Sequence, residues 1–155
     1  MRPRLPTILR NVDRLDAGIT RWMSRHGLLF LRISLAIVFV WFGALKPLRI
    51  SPADDLIART VYWFDPDLFI PILGAWEIAI GICLLVRPLV RLGIFLLFLQ
   101  MPGTFLPLIL LPGVCFTHIP WAPTLEGQYI IKNLVLISAA LVVGGAVRRK
   151  SSAFS

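Results

Sequence analysis

Apolar positions along the chain gather into four long runs, and the segments between them set the architecture. The first run, 27 to 46 (GLLFLRISLAIVFVWFGALK), matches the roughly 20 residues a helix needs to cross about 30 Å of hydrocarbon, and Pro47 closes it. Further runs lie at 70 to 86, 89 to 111 and 127 to 147. Only Arg87-Pro88-Leu89-Val90-Arg91 separates the second from the third, and so tight a turn predicts an antiparallel hairpin. Pro102, Pro107 and Pro112 punctuate the third run, with a kink expected near Met101-Pro102-Gly103.

Two polar segments carry a different periodicity. Residues 5 to 25 place Ile8, Val12, Leu15, Ile19 and Trp22 at helical spacing, with Arg10, Arg14, Arg21 and Arg25 on other faces. Such a helix is too polar to span, and it suits the headgroup layer, where its arginines meet anionic lipid. After the first run, Ser51-Pro52 followed by Asp54 and Asp55 reads as an N-cap, a first-turn proline and acids that suit the helix dipole. A short surface helix is therefore expected, resting Leu56, Ile57, Thr60, Val61 and Phe64 on the bundle mouth or the membrane, with Tyr62 and Trp63 at interface depth.

The expectation is an all-α protein, an integral membrane four-helix bundle with an N-terminal cytoplasmic amphipathic helix and a surface helix after the first span. Its parts are a cytoplasmic amphipathic segment (1–26), a transmembrane domain (27–147) and a cytoplasmic tail (148–155). Composition agrees: 57% of residues are hydrophobic and only 15% charged, far from an ordinary soluble domain. Residues 1 to 26 lack the apolar core and cleavage site of a removable signal, and Asp13 and Asp16 argue against a mitochondrial presequence.

A net charge of +8 raises the question of nucleic acid, and the placement of the charges answers it. Arg2, Arg4, Arg10, Arg14, Arg21, Arg25, Arg87, Arg91, Arg148, Arg149 and Lys150 fall on one side, whereas only Lys46, Arg49 and Arg59 fall on the other. That bias places both termini in the cytoplasm and leaves no nucleic-acid partner to expect. Cys83 and Cys115 stand singly, on different levels of the predicted topology, beyond the roughly 4.4–6.8 Å between Cα atoms that a disulfide requires. His118, near Cys115 and Glu126, lacks metal-ligand spacing, so no metal site is expected. Aromatic belts account for Trp22, Trp41, Trp63, Trp76 and Trp121 near the span boundaries.

Candidate chemistry lies in the charges that lipid should reject. Arg32, Glu77 and Lys132 fall within predicted spans, where each costs roughly 2.5–3.5 kcal/mol on insertion scales. Arg32, Ala36, Phe39, Gly43 and Lys46 share a stripe on the first helix, and Gly74, Glu77 and Gly81 share one on the second. On the fourth, Lys132 aligns with Ala139, and Asn133 with Ala140 and Gly144. Small and polar residues coincide, which points the charges into the bundle. A rise of about 1.5 Å per residue sets Glu77 and Lys132 roughly 10 and 8 Å below the outer boundary, so these two are expected to pair. A plainer reading has Arg32, Lys46 and Lys132 snorkelling to headgroups, with Glu77, Gln100 and Asn133 as packing partners.

Arg32-Ile33-Ser34 through Trp41-Phe42-Gly43-Ala44-Leu45-Lys46, Trp76-Glu77 with Gly81 and Leu84-Leu85, Gln100-Met101-Pro102-Gly103-Thr104-Phe105, and Pro123-Thr124-Leu125-Glu126-Gly127-Gln128-Tyr129 leading to Lys132-Asn133-Leu134 resemble the DoxX-like family, including its MauE-type relatives. The resemblance covers 28 to 147 and implies a small four-helix protein of the bacterial inner membrane. It also implies association with quinone-linked sulfur oxidation, membrane redox complexes or oxidant resistance. No redox cofactor ligand and no catalytic residue can be picked out. The leading expectation is a component of a membrane redox or oxidant-stress system, in which Arg32, Lys46, Glu77, Gln100, Lys132 and Asn133 bind a small anion or a quinone head group. The alternatives are a scaffold that meets lipid or membrane redox subunits, and a small-solute carrier that would need a homo-oligomer, since no broken-helix repeat is present.

Overall fold

The computed structural model describes the backbone of residues 7–151 and, within it, the side chains of 13 and 15–146. The arginines at 2 and 4, and the side chains of Ile8, Arg10, Val12, Arg14, Arg148, Arg149 and Lys150, lie outside the described residues. In chain order the elements are α1 (Thr7–Leu45), α2 (Asp54–Thr60), α3 (Pro66–Leu85), a 3₁₀ turn (Arg87–Leu89), α4 (Val90–Leu110), α5 (Pro112–Cys115), β1 (Phe116–His118), β2 (Ala122–Pro123), α6 (Leu125–Ile131) and α7 (Asn133–Ser151). Four stretches are long and apolar enough to cross a membrane: Leu15–Leu45, Pro66–Leu85, Arg87–Leu110 and Leu125–Ala146. The helical bundle expected from the hydrophobic runs is present, and each expected span overlaps one of these four stretches.

α1 differs from expectation. The amphipathic segment and the first span form one unbroken helix, with no boundary at residue 26. Gly18 and Gly27 are the glycines on either side of the expected boundary, and an isolated glycine costs only about 1 kcal/mol without stopping a helix. Its C-terminal end is a Schellman-type cap: Ile50 N–H donates to Leu45 O at 3.2 Å and Arg49 N–H to Lys46 O at 3.0 Å. The left-handed position of that motif, usually glycine, is Arg49, with φ 57°.

What holds Arg49 there is a gap left by a proline. Pro71 lies inside α3 and has no N–H, so the carbonyl of Asp67, four residues earlier, loses its helical donor. The Arg49 guanidinium takes that place, donating to Asp67 O at 3.2 Å and to Asp67 Oδ1 at 2.6 Å. α3 itself begins on Asp65, whose side chain accepts from Asp67 N–H, with Pro66 in the first turn. The expected surface helix exists as α2, two residues later than a Ser51 cap would give, with Ala53 at the N-cap position. Ser51 Oγ accepts from Ala53 N–H at 3.2 Å, and Asp54 and Asp55 occupy the first turn.

Glycines decide how closely α1 and α3 approach. A Cβ on Gly43 would lie 2.8 Å from Gly74 O, one on Gly74 2.6 Å from Gly43 O, and one on Gly81 2.8 Å from Ala36 O. Backbone meets backbone there, which is what the small-residue stripes of both helices predicted. Gly93 lets α4 close on Cys83 of α3 in the same way. The resulting core runs through Leu35, Ala36 and Phe39 of α1, Ile80 and Leu84 of α3, Val90, Leu97 and Met101 of α4, and Ala139, Ala140 and Val143 of α7. α4 continues as one helix through Pro102 and Pro107.

The connection between α4 and α6 is a small built cap. β1 pairs antiparallel with β2, Thr124 N–H donates to Cys115 O at 2.9 Å, and Thr124 Oγ1 donates to Val114 O at 2.7 Å while accepting from Gly127 N–H at 3.2 Å. Thr124 thus caps α6 and ties it to α5. Gly127 packs on the Cys115 carbonyl, where no side chain would fit. Burial, and secondarily the charge of Glu126, push the Cys115 thiol above its ordinary range. Both cysteines are free and buried. Among the described residues no cluster of His, Cys, Asp and Glu has metal-binding geometry.

Candidate functional site: a polar trio beside a cavity

The half of the bundle away from the N terminus, called the outer half below, holds the buried charges of the described residues. Lys46 and Glu77 are 4% and 9% exposed, and Lys46 Nζ lies 2.5 Å from Glu77 Oε2. Gln100 Nε2 donates to Glu77 Oε1 at 2.7 Å, so one carboxylate receives a donor from α1 and another from α4. Because that carboxylate only accepts, the amide nitrogen of Gln100 must face it, and the amide oxygen is left buried without a partner.

Lys46 reaches Glu77 because of how α1 ends. Pro47 has no N–H for Gly43 O, and Lys46 N–H bends to that carbonyl instead, at 3.3 Å. Phe42 O is thereby released and accepts from Lys46 Nζ at 3.5 Å. The ammonium folds back over the C-terminal end of its own helix, where the dipole favours a cation, and it faces α3 at the glycine contact.

The ion pair expected between Glu77 and Lys132 is therefore corrected: Glu77 pairs with Lys46, and the Lys132 residue is exposed. The physical reason is a break in the fourth span. α6 stops at Ile131 and α7 starts at Asn133, so Lys132 sits in a turn, with its N–H on Gln128 O and its O accepting from Val135 N–H. Counting Lys132 to Ala139 along one uninterrupted helix carried the phase across that break. Asn133, just beyond it, does face inward, together with Ala140.

Arg32 stays apart from the trio. It lies fourteen residues before Lys46 on α1, a separation of about 21 Å along the axis. The residue is half-buried, with a sealed Nε that has no partner.

Beside the trio lies a cavity of about 170 Å³. Lys46, Glu77, Gln100, Thr104, Tyr129 and Asn133 supply its polar wall, while Phe39, Leu73, Met101 and Leu136 supply apolar surface. α2 covers it with Leu56, Ile57 and Thr60, the last buried with its hydroxyl on Leu56 O at 2.6 Å. Pro107 also lines it, and its missing N–H deprives the Gly103 carbonyl, another cavity residue, of its helical donor.

Of the six residues expected to form a site, the structure brings Lys46, Glu77, Gln100 and Asn133 to one cavity and leaves Arg32 and Lys132 outside it. Tyr129, Phe42 and Thr104 were not anticipated as site residues. Tyr129 stands four residues before Asn133 and its carbonyl accepts from Asn133 Nδ2 at 3.5 Å, a spacing that could have flagged it.

Chemically, the wall is close to charge-neutral. Among the described residues the only buried cation is spent on the only buried carboxylate, which leaves donors and acceptors for a neutral polar group beside a ring-sized apolar space. No protein-family model, curated protein or solved structure matches the chain.

Proposed function

We propose that this chain is a DoxX-like multi-pass protein of a bacterial inner membrane, serving a membrane redox or oxidant-stress system by holding the head group of a quinone in the outer-half cavity. The carrying observation is the pairing of a ring-sized space with a neutral polar wall of Lys46, Glu77 and Gln100. About 150 Å³ of apolar cavity is enough to admit benzene. A carbonyl-bearing ring finds apolar contact and hydrogen-bond donors there. A small anion is the weaker alternative, because the Glu77 carboxylate repels it and the compensating cation is already paired. The bias of lysine and arginine supports cytoplasmic termini on the proposed topology.

The test is purification in mild detergent, mass spectrometry of the extracted small molecules, and titration with a decyl-tailed benzoquinone followed by tryptophan quenching. Saturable binding weakened about tenfold by Glu77→Gln or Gln100→Leu is the expected result. Equal affinity in wild type and both variants would exclude the site. A second reading, a scaffold in which the trio only locks α1, α3 and α4 together, draws on the near-complete burial of Lys46 and Glu77. In that case the same variants lose thermal stability, no quinone binds, and a stoichiometric partner subunit co-purifies.

A further inference from the structure

The walls of the cavity are unequal, and their inequality says how a ligand reaches it. Toward α3 the wall is sealed by the contact between Gly43 and Gly74, where the two backbones touch. Toward the N-terminal half of the bundle it closes on Phe39 and Met101, which belong to the same packed core as Ile80, Leu97 and Ala140. Toward the outer face it is roofed by α2. Between α1 and α6 the arrangement is different. α1 packs on α3 and α7, and no comparable backbone packing joins it to α6.

That gap is filled by two aromatic side chains. Phe42 of α1 and Tyr129 of α6 meet edge to face, ring centroids 6.1 Å apart at 78°. Both line the cavity, yet Phe42 is 39% and Tyr129 47% exposed. Each belongs to a stretch that is long and apolar enough to cross a membrane. In the proposed membrane setting their outward surfaces face lipid, while their inward surfaces line the cavity beside the polar trio.

Resting on the proposed quinone-type site, we infer that Phe42 and Tyr129 form a lateral gate through which the ligand enters from the lipid, and that this ligand is a tailed amphiphile. Its ring occupies the cavity and its chain stays between α1 and α6 in the bilayer. The volume requires this division, since about 170 Å³ accommodates one ring and leaves no room for a long hydrocarbon chain. The edge-to-face pair suits a gate. It is a single aromatic contact, small beside the sealed glycine interface, and it opens by side-chain rotation with no helix displaced.

The experiment uses the full chain in phosphatidylcholine liposomes and a benzoquinone carrying a photoreactive diazirine on the first carbons of its alkyl tail. After irradiation, digestion and mass spectrometry, label competed away by excess untagged quinone is expected on α1 near Trp41–Leu45 and on α6 near Leu125–Ile131. Phe42→Ala combined with Tyr129→Ala is expected to speed entry about fivefold, read by stopped-flow quenching, with a smaller change in equilibrium affinity. Competed label on α2, or around Gly103 on α4, would overturn the gate while leaving the site reading intact. Absence of any competed label would overturn the site reading itself, and the gate with it.

Discussion

The two halves of the bundle are built on the same contact and use it differently. In the inner half, Gly81 lets α3 close on Ala36 and Val40 of α1, and the space around that contact is filled with Leu35, Ile80, Leu84, Leu97 and Val143. In the outer half, Gly43 and Gly74 bring the same helices equally close, but the neighbouring positions are Lys46, Glu77 and Gln100 beside a cavity. Close backbone approach is thus common to both halves, and side-chain choice alone makes one a plug and the other a candidate site. The plug closes the trio off from the half of the bundle nearer the N terminus.

The sharpest way to break this comparison is to take one charge from the outer half. Lys46→Met strands the Glu77 carboxylate in a sealed position and is expected to cost about 3–5 kcal/mol of unfolding free energy in detergent. The pair of substitutions Lys46→Met with Glu77→Leu should recover most of that loss while quinone binding stays absent. A double variant that binds like wild type would reduce the trio to a helix lock.

Next in size are the glycines. Gly81→Ala sets a methyl 2.5 Å from Val40 Cγ2 and 2.8 Å from Ala36 O, and Gly74→Ala one at 2.6 Å from Gly43 O. Each should destabilise by about 1–3 kcal/mol through forced separation of α1 and α3. Gly103→Ala, with nothing within 4 Å of the added carbon, should lose no stability in the same melting assay. Equal effects at all three positions would erase the distinction between contact and open glycines.

Smaller effects are expected at the mouth. Arg49→Gly relieves a left-handed backbone by about 1 kcal/mol and gives up an exposed pair worth about 0.2–1 kcal/mol, so its melting temperature should stay close to wild type. Arg49→Ala keeps the strain and loses the pair, and should be the less stable of the two. At Cys115 the raised thiol pKa means that the fold favours the protonated form. Its stabilising contribution is complete below the unfolded thiol pKa and is lost as pH rises through the folded value. Maleimide labelling of folded protein should therefore be slow at neutral pH and accelerate only at higher pH than for the unfolded chain; identical pH profiles would refute the shift.

Much of this was legible in the residues. Spans follow from run length, and the inward stripes of Ala36 with Gly43 and of Gly74 with Gly81 follow from helical spacing, because nothing interrupts α1 or α3 between those positions. The partner of Glu77 was not legible, for two local reasons. Lys132 takes a face, on helical counting, only if the helix runs on through the turn where α6 ends and α7 begins. Lys46 was assigned to the boundary because depth counting follows the backbone, whereas its side chain folds back along α1 once Pro47 frees the last carbonyls. The cavity was hidden for a different reason: it is assembled by α2 and α6 converging on residues far away in sequence, and no periodicity within one segment reports such a meeting.

The unbroken course of α1 has a mechanical consequence. Thirty-nine residues make a rod about 58 Å long, with Lys46 just past one end and an arginine-bearing stretch at the other. A rod without a joint transmits rotation. Any turn about its own axis has to slide past the backbone contacts with α3 at Gly43 and Gly81, so the packing that seats the rod also holds the Lys46 ammonium on Glu77.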